Sequence, residues 1–162
     1  GNGERWSCSI AYSREVQPLE TAGGIIQALP LLGESPFVVV NGDIWCDYPL
    51  AALRGLPVAP QLAHLVMVTN PAHHVGGDFC LAHGMLQLVR EGVAAAGLTY
   101  AGVGAFGPGV FRGTAPGELA LRPVLDRAIA AGQVSGEQCA GLWADVGTPQ
   151  RLKELDASLA IL

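Results

Sequence analysis

Phe37-Val38-Val39-Val40-Asn41-Gly42-Asp43 is the stretch on which the reading of this chain turns. An aromatic residue and three β-branched ones favour a pleated strand, and Asn-Gly-Asp is the turn chemistry that stops it. An unbroken apolar run belongs to a central strand covered on both faces, and open α/β sheets bind small molecules in the crevice beyond the carboxyl ends of such strands. Asp43 therefore stands where a ligand is received. A second carboxylate shares that setting: Asp145, in Trp143-Ala144-Asp145-Val146-Gly147-Thr148-Pro149, also closes a strand-like stretch. Two acidic groups at strand ends can hold one hard cation. Mg2+ takes oxygen ligands and usually keeps positions open for water and phosphate, so Asp43 and Asp145 are the expected metal ligands and point to a metal-borne nucleotide. Either aspartate alone also suits a turn or a helix cap. Their conjunction, with a glycine-rich loop before the first, carries the reading.

Working outward, the pattern predicts a strand over 6–13, a loop over 14–21 and a short helix over 25–29 that Pro30 and Gly33 help to end. Beyond the first apolar run it predicts a short helix over 48–54, a loop over 56–60 and a strand over 63–69 stopped by Asn70-Pro71. A hairpin of 79–82 and 85–89 around His83-Gly84, a strand over 99–106, a helix over 121–131 and a strand over 138–146 follow. The last helix has a clear start, with Thr148 as N-cap and Pro149 at its first position. Leu152, Leu155, Leu159 and Leu162 give it one apolar face. Strands alternating with helices mean α/β, with a parallel sheet as the expectation.

Half of the 162 residues are hydrophobic and 14% are charged, which suits one domain with a sizeable core and excludes disorder. A net charge of −5 without a basic cluster argues against nucleic acid or an acidic membrane surface as partner. No apolar segment reaches the roughly 20 residues that span a bilayer. Cys8, Cys46, Cys80 and Cys139 are scattered, as reduced thiols of a cytoplasmic protein would be. The chain opens on Gly1 with no targeting pattern, and the expectation is an internal cut in a longer chain.

Further motifs bear on ligands. In Leu19-Glu20-Thr21-Ala22-Gly23-Gly24, glycines at a loop-to-helix junction let backbone approach a flat ligand and offer N–H groups to a base edge or an anion, though glycine pairs there are often plain turns. Gly102-Val103-Gly104-Ala105-Phe106-Gly107 matches a dinucleotide fingerprint, but Pro108-Gly109 blocks the helix it requires, so it reads as a strand of small residues close to a ligand or another backbone. His73-His74 lacks zinc-ligand partners and reads as loop surface. Asp78, behind Gly76-Gly77, is a candidate sugar ligand. No spacing supports covalent catalysis.

The motifs Leu19 to Gly24, Val40-Asn41-Gly42-Asp43, Gly77-Asp78-Phe79 and Trp143 to Leu152 occur in the order that resembles sugar-1-phosphate nucleotidyltransferases. Asn70-Pro71-Ala72-His73-His74 and Gly132-Gln133-Val134-Ser135-Gly136-Glu137 make the chain similar, within that family, to the uridylyltransferases of N-acetylmuramate α-1-phosphate that serve peptidoglycan recycling. The resemblance runs from Gly3 to Leu155. It implies a Rossmann-like α/β nucleotidyltransferase fold in three layers, with residues 1–162 as the C-terminal portion of one such domain whose N-terminal part is missing. It implies Mg2+, UTP and a sugar 1-phosphate, with the sugar-phosphate oxygen attacking the α-phosphorus and pyrophosphate leaving. Carried over, Asp43 and Asp145 hold the metal and are catalytic, and Glu20, Thr21, Gly23 and Asn41 meet the nucleotide. Asp78, Glu91 and Gly102 line the sugar pocket, although Glu91-Gly92 stands where relatives have Glu-Lys. Mannose or glucose 1-phosphate, or a non-catalytic subunit that binds sugar nucleotides, are the alternatives.

Relatives begin with a strand, a glycine-rich loop carrying arginine and a later lysine that grip the triphosphate, and none of these is in this chain. Charge developing on a transferring phosphoryl group needs cationic or N–H donors aimed at it. The reading leaves only the metal to supply them, so this polypeptide alone is expected to turn over weakly or not at all.

Overall fold

The computed structural model describes residues 1–56, 58, 59, 61–89 and 97–160. Along the chain run α1 (Glu20–Leu32), β1 (Phe37–Val40), β2 (Ile44–Cys46), β3 (Ala63–Val68), β4 (Phe79–Ala82), β5 (Met85–Leu88), β6 (Thr99–Phe106), α2 (Leu121–Ala130), β7 (Val134–Gln138), β8 (Trp143–Asp145) and α3 (Pro149–Leu159). Short 3-10 turns occupy Glu4–Trp6, Leu50–Gly55 and Pro108–Phe111. Six strands form one sheet in the order β1-β6-β3-β7-β5-β4, and β2 pairs with β8 in a separate ladder.

β3 sits mid-sheet because its residues are apolar on both faces, and all but His64 are buried. Alternate side chains feed two cores, as the two-residue period of a strand requires. Leu65 and Met67 join Phe106, Leu125 and Ile129 beneath α1 and α2, while Val66 and Val68 join Ala101, Val103 and Leu53 on the other face. Ile44, Cys46 and Trp143 of the small ladder cover that second core. The result is three layers: two helices, the sheet, and the β2·β8 ladder with its neighbouring 3-10 turn. α2 earns its place through Leu121, Val124, Leu125, Ala128 and Ile129, a three-and-four spacing that buries one stripe. Phe37, Phe106 and Phe111 stack at one end of the helical side, with centroids 5.9 to 6.4 Å apart.

Several expectations need correction. The sheet is mixed: β3·β7 is parallel, while β1·β6, β3·β6, β4·β5 and β5·β7 are antiparallel. β1, expected at the centre, lies at an edge, with Val38 37% and Val40 45% exposed. An apolar run says that a strand needs cover; it does not say which neighbours supply it. Residues 6–13 alternate in polarity yet form a 3-10 turn and irregular chain, since none of the sheet's strands pairs there. The stretch 138–146 divides into the end of β7 and all of β8, which belong to different sheets. α1 is longer than predicted and passes through Pro30, ending at Gly33, whose N–H donates to Leu29 O at 2.9 Å with φ at +80°. Glu91, Leu162, Pro57 and Pro60 lie outside the described residues.

Candidate active site

The small ladder brings the two aspartates together. Ile44 is paired with Asp145, and Val146 N–H donates to Asp43 O at 2.8 Å, so Asp43 immediately before β2 lies beside Asp145 at the end of β8. A methyl group on Gly147 would sit 3.0 Å from Asp145 Oδ1 and 3.5 Å from Asp43 Oδ2. Those oxygens are therefore no farther apart than the sum of the two distances; a single ion with ligand distances near ~2 Å spans oxygens about 4 Å apart, so any wider gap closes when the ion binds. Glycine keeps that space open. The two carboxylates line a cavity of about 330 Å3 together with Asn41, Thr99, Tyr100 and Gly102.

Among the described residues no group of three His, Cys, Asp or Glu side chains could hold a metal. Two carboxylate oxygens around an open space nonetheless fit a hard cation that completes its shell with water and phosphate, the ordinary habit of Mg2+.

Sequence reasoning missed two groups here. Arg151 Nη1 donates to Asp145 Oδ2 at 2.7 Å and lies 3.1 Å from His73 Nε2. Its Nε and its backbone N–H both reach the N-cap oxygen of Thr148 at 3.3 Å. The remaining oxygen of Asp145 accepts from Gly147 N–H at 2.8 Å. A guanidinium therefore stands beside the carboxylates, which corrects the expectation that a metal alone brings positive charge. The signal was present in the sequence: a cation in the first turn of a helix opposes the macrodipole and needs a compensating anion. His73 likewise faces this cluster and is not mere loop surface, while His74 Nε2 pairs with Asp78 Oδ1 at 3.2 Å.

Gly102 and Asn41 fit each other closely. Opposite β3 the register of β6 jumps from Leu65↔Gly104 to Met67↔Tyr100, a bulge that contains Gly102 at φ +72°. A Cβ there would lie 2.7 Å from Ile44 Cγ1 and 3.0 Å from Asn41 Nδ2. Asn41 N–H donates to Gly102 O at 2.8 Å. Asn41 also lines a second cavity, about 370 Å3, that follows β1 past Glu20, Thr21 and Gly24. One side chain thus borders both the groove at the start of α1 and the carboxylate cavity. Glu20 enters the helix at φ +56°, a strained conformation for a residue with a side chain.

Gly23 lies elsewhere. It is buried, its Cβ would collide with Gly117 O, and the N–H groups of Ala22 and Gly23 donate to Leu119 O at 3.0 and 3.1 Å. Its glycine is required by helix packing, and those donors are already used. Asp78 has both oxygens engaged, Oδ2 accepting from Tyr100 N–H at 2.8 Å and Oδ1 facing His74 and, at 3.9 Å, Arg122. The Tyr100 hydroxyl is buried without a partner among the described residues, and burial pushes its phenol well above the ordinary value. Tyr48 is also raised, chiefly by burial and then by its hydrogen bond to Glu137.

No family model matches the chain. It is 47% identical over 97% of its length to N-acetylmuramate alpha-1-phosphate uridylyltransferase of Neisseria meningitidis serogroup B, covering 70% of that protein. It is 35% identical over 93% of its length to the protein of the same name from Caulobacter vibrioides, covering 66% of it. Among solved structures, a UDP-glucose pyrophosphorylase complexed with UDP-glucose matches 94% of the chain and 66% of its own length, with TM-score 0.75 at 20% identity. That likeness shows the Rossmann-like nucleotidyltransferase fold, and the sequence relatives carry the family. The chain belongs to the sugar-1-phosphate nucleotidyltransferases, alongside the N-acetylmuramate α-1-phosphate uridylyltransferases.

Proposed function

We propose that this chain is the C-terminal portion of an enzyme that transfers the uridylyl group of UTP to N-acetylmuramate 1-phosphate and releases pyrophosphate, in the cytoplasmic recycling of peptidoglycan sugars. The observation that carries the reading is the approach of Asp43 and Asp145 around the space left by Gly147. Asp43 Oδ2 and Asp145 Oδ1 would hold Mg2+, which, when bound, offsets charge on the α-phosphate. Asn41, shared by both cavities, suits the ribose between a base lying along Glu20 and Thr21 and phosphates at the aspartates. The backbone of Gly102 brings the sugar-side wall close to Asn41. Holding the sugar phosphate beside the nucleotide replaces a bimolecular encounter with an oriented one.

The open edge of β1 and the 70% and 66% coverage of the relatives support a strand and a triphosphate-gripping segment contributed by another part of the enzyme. Turnover by residues 1–162 alone is accordingly low. Asp43→Asn in the full-length enzyme is expected to cut turnover at least about a hundredfold and to abolish the magnesium dependence of UTP binding in calorimetry. Near-normal turnover by that variant sinks the assignment.

A further inference from the structure

Beside the carboxylates lies another cavity of about 360 Å3, whose wall combines Trp45, Leu142, Trp143 and Leu155 with His73 and Arg151. It adjoins the metal-side cavity, since His73, Trp143 and Asp145 line both. Its polar corner has a definite hydrogen-bond polarity. Arg151 Nη1 carries only protons, so His73 Nε2 at 3.1 Å accepts from it and the imidazole proton resides on Nδ1. Among the described residues no hydrogen bond uses His73 Nδ1 or Arg151 Nη2. Two spare N–H donors, one on a cation, therefore stand next to an apolar wall.

We propose that His73 and Arg151 form the seat for a carboxylate carried by the sugar on a short branched arm, with the arm's methyl group against Trp143 and Leu142. This rests on the reading of N-acetylmuramate 1-phosphate as substrate, whose lactyl ether is such an arm. A phosphate is also an anion. The apolar share of the wall favours the lactyl group, because an alkyl branch gains from burial there and a phosphate does not. Asp145 already takes one donor of Arg151, which fixes the guanidinium and limits the ordering that binding must impose.

The test is calorimetric binding to the full-length enzyme, with Mg2+ and UMP present, of three ligands: N-acetylmuramate 1-phosphate, the same compound with its lactyl carboxylate converted to carboxamide, and N-acetylglucosamine 1-phosphate. The unsubstituted enzyme is expected to bind the first at least tenfold more tightly than the other two. His73→Ala and Arg151→Gln should each reduce that preference several-fold, read in each variant as the ratio of its own affinities for N-acetylmuramate 1-phosphate and N-acetylglucosamine 1-phosphate. His73 is a half-exposed loop residue, so its removal leaves the core intact, and the carboxamide comparison needs no variant at all. Equal binding of acid and amide overturns the seat, as does a preference that persists in both variants; in either case the muramate reading stands. No preference for N-acetylmuramate 1-phosphate over N-acetylglucosamine 1-phosphate, or no binding of either, overturns the substrate reading and the seat with it.

Discussion

Replacing Gly102 by alanine tests whether the bulge in β6 shapes the site. At φ +72° the residue occupies the left-handed region, which costs an L side chain about 1–2 kcal/mol. The added methyl would also lie 2.7 Å from Ile44 Cγ1 and 3.0 Å from Asn41 Nδ2, closer than carbon atoms rest. Neither neighbour retreats freely: Ile44 packs in the second core and Asn41 is tied by its own N–H to the Gly102 carbonyl. Overpacking of this sort costs about 1–3 kcal/mol, which gives a total of about 2–5 kcal/mol. For a domain of this size that lowers the melting temperature by roughly 4–20 °C. Gly113 is the matched control, at φ +74° with nothing within 4 Å of its Cβ position, so Gly113→Ala pays the backbone cost alone. The assays are thermal unfolding of both variants and calorimetric binding of a uridine nucleotide at a temperature where both remain folded. Gly102→Ala should be the less stable by more than about 1 kcal/mol and, through displaced Asn41, the weaker binder. Equal stability of the two variants with unchanged nucleotide binding refutes the reasoning.

Gly147→Ala puts a methyl group 3.0 Å from Asp145 Oδ1 and 3.5 Å from Asp43 Oδ2, the oxygens proposed to hold the metal, at an exposed position. Affinity for Mn2+, followed by electron paramagnetic resonance, should fall about tenfold with little change in melting temperature; unchanged affinity contradicts the shared-ion geometry. Tyr100→Phe removes a buried hydroxyl that has no partner among the described residues, and should leave stability unchanged or raise it by up to about 1 kcal/mol in urea unfolding. Because burial raises the phenol above its ordinary value of 10.0, the unfolded chain loses this proton first. Stability is then full below about pH 10 and declines as pH rises further, and the Phe variant should flatten part of that decline, with Tyr48 supplying the rest. The exposed edge of β1 should make the isolated chain self-associate at concentrations on the order of 100 µM in sedimentation. Val40→Lys should reduce that association, and a strictly monomeric parent chain counts against it.

Much of the frame was legible because the deciding residues act locally. The Asn70-Pro71 stop fixes the end of β3, the His83-Gly84 pair fixes the β4–β5 turn, and Thr148-Pro149 fixes the start of α3. What escaped depends on partners distant in sequence. Ile44–Cys46 is too short to show a period, and becomes β2 only because Trp143–Asp145 lies against it, held over the main sheet by the bond from Trp143 Nε1 to Ala101 O. Gly23 and Gly102 were both singled out as glycines near a ligand. The first is explained by helix packing against 117–119, the second by a bulge against Asn41, and only the folded chain separates those demands. Arg151 was visible as a cation at the wrong end of a helix, but its anion lay across a turn that the helix pattern alone does not describe.

The β2·β8 ladder holds only three residue pairs, and its two strands, 44–46 and 143–145, lie far apart in sequence. Held by Asp43 and Asp145 as proposed, an ion would act across that ladder as a reversible clasp, whose strength would follow how much free cation surrounds the protein. At a hundredfold excess over the dissociation constant, such a ligand adds about 2.7 kcal/mol to whatever it joins. Depleting the cation should therefore loosen this rim first while the six-stranded sheet endures, and hydrogen exchange at Val146 N–H would record the release.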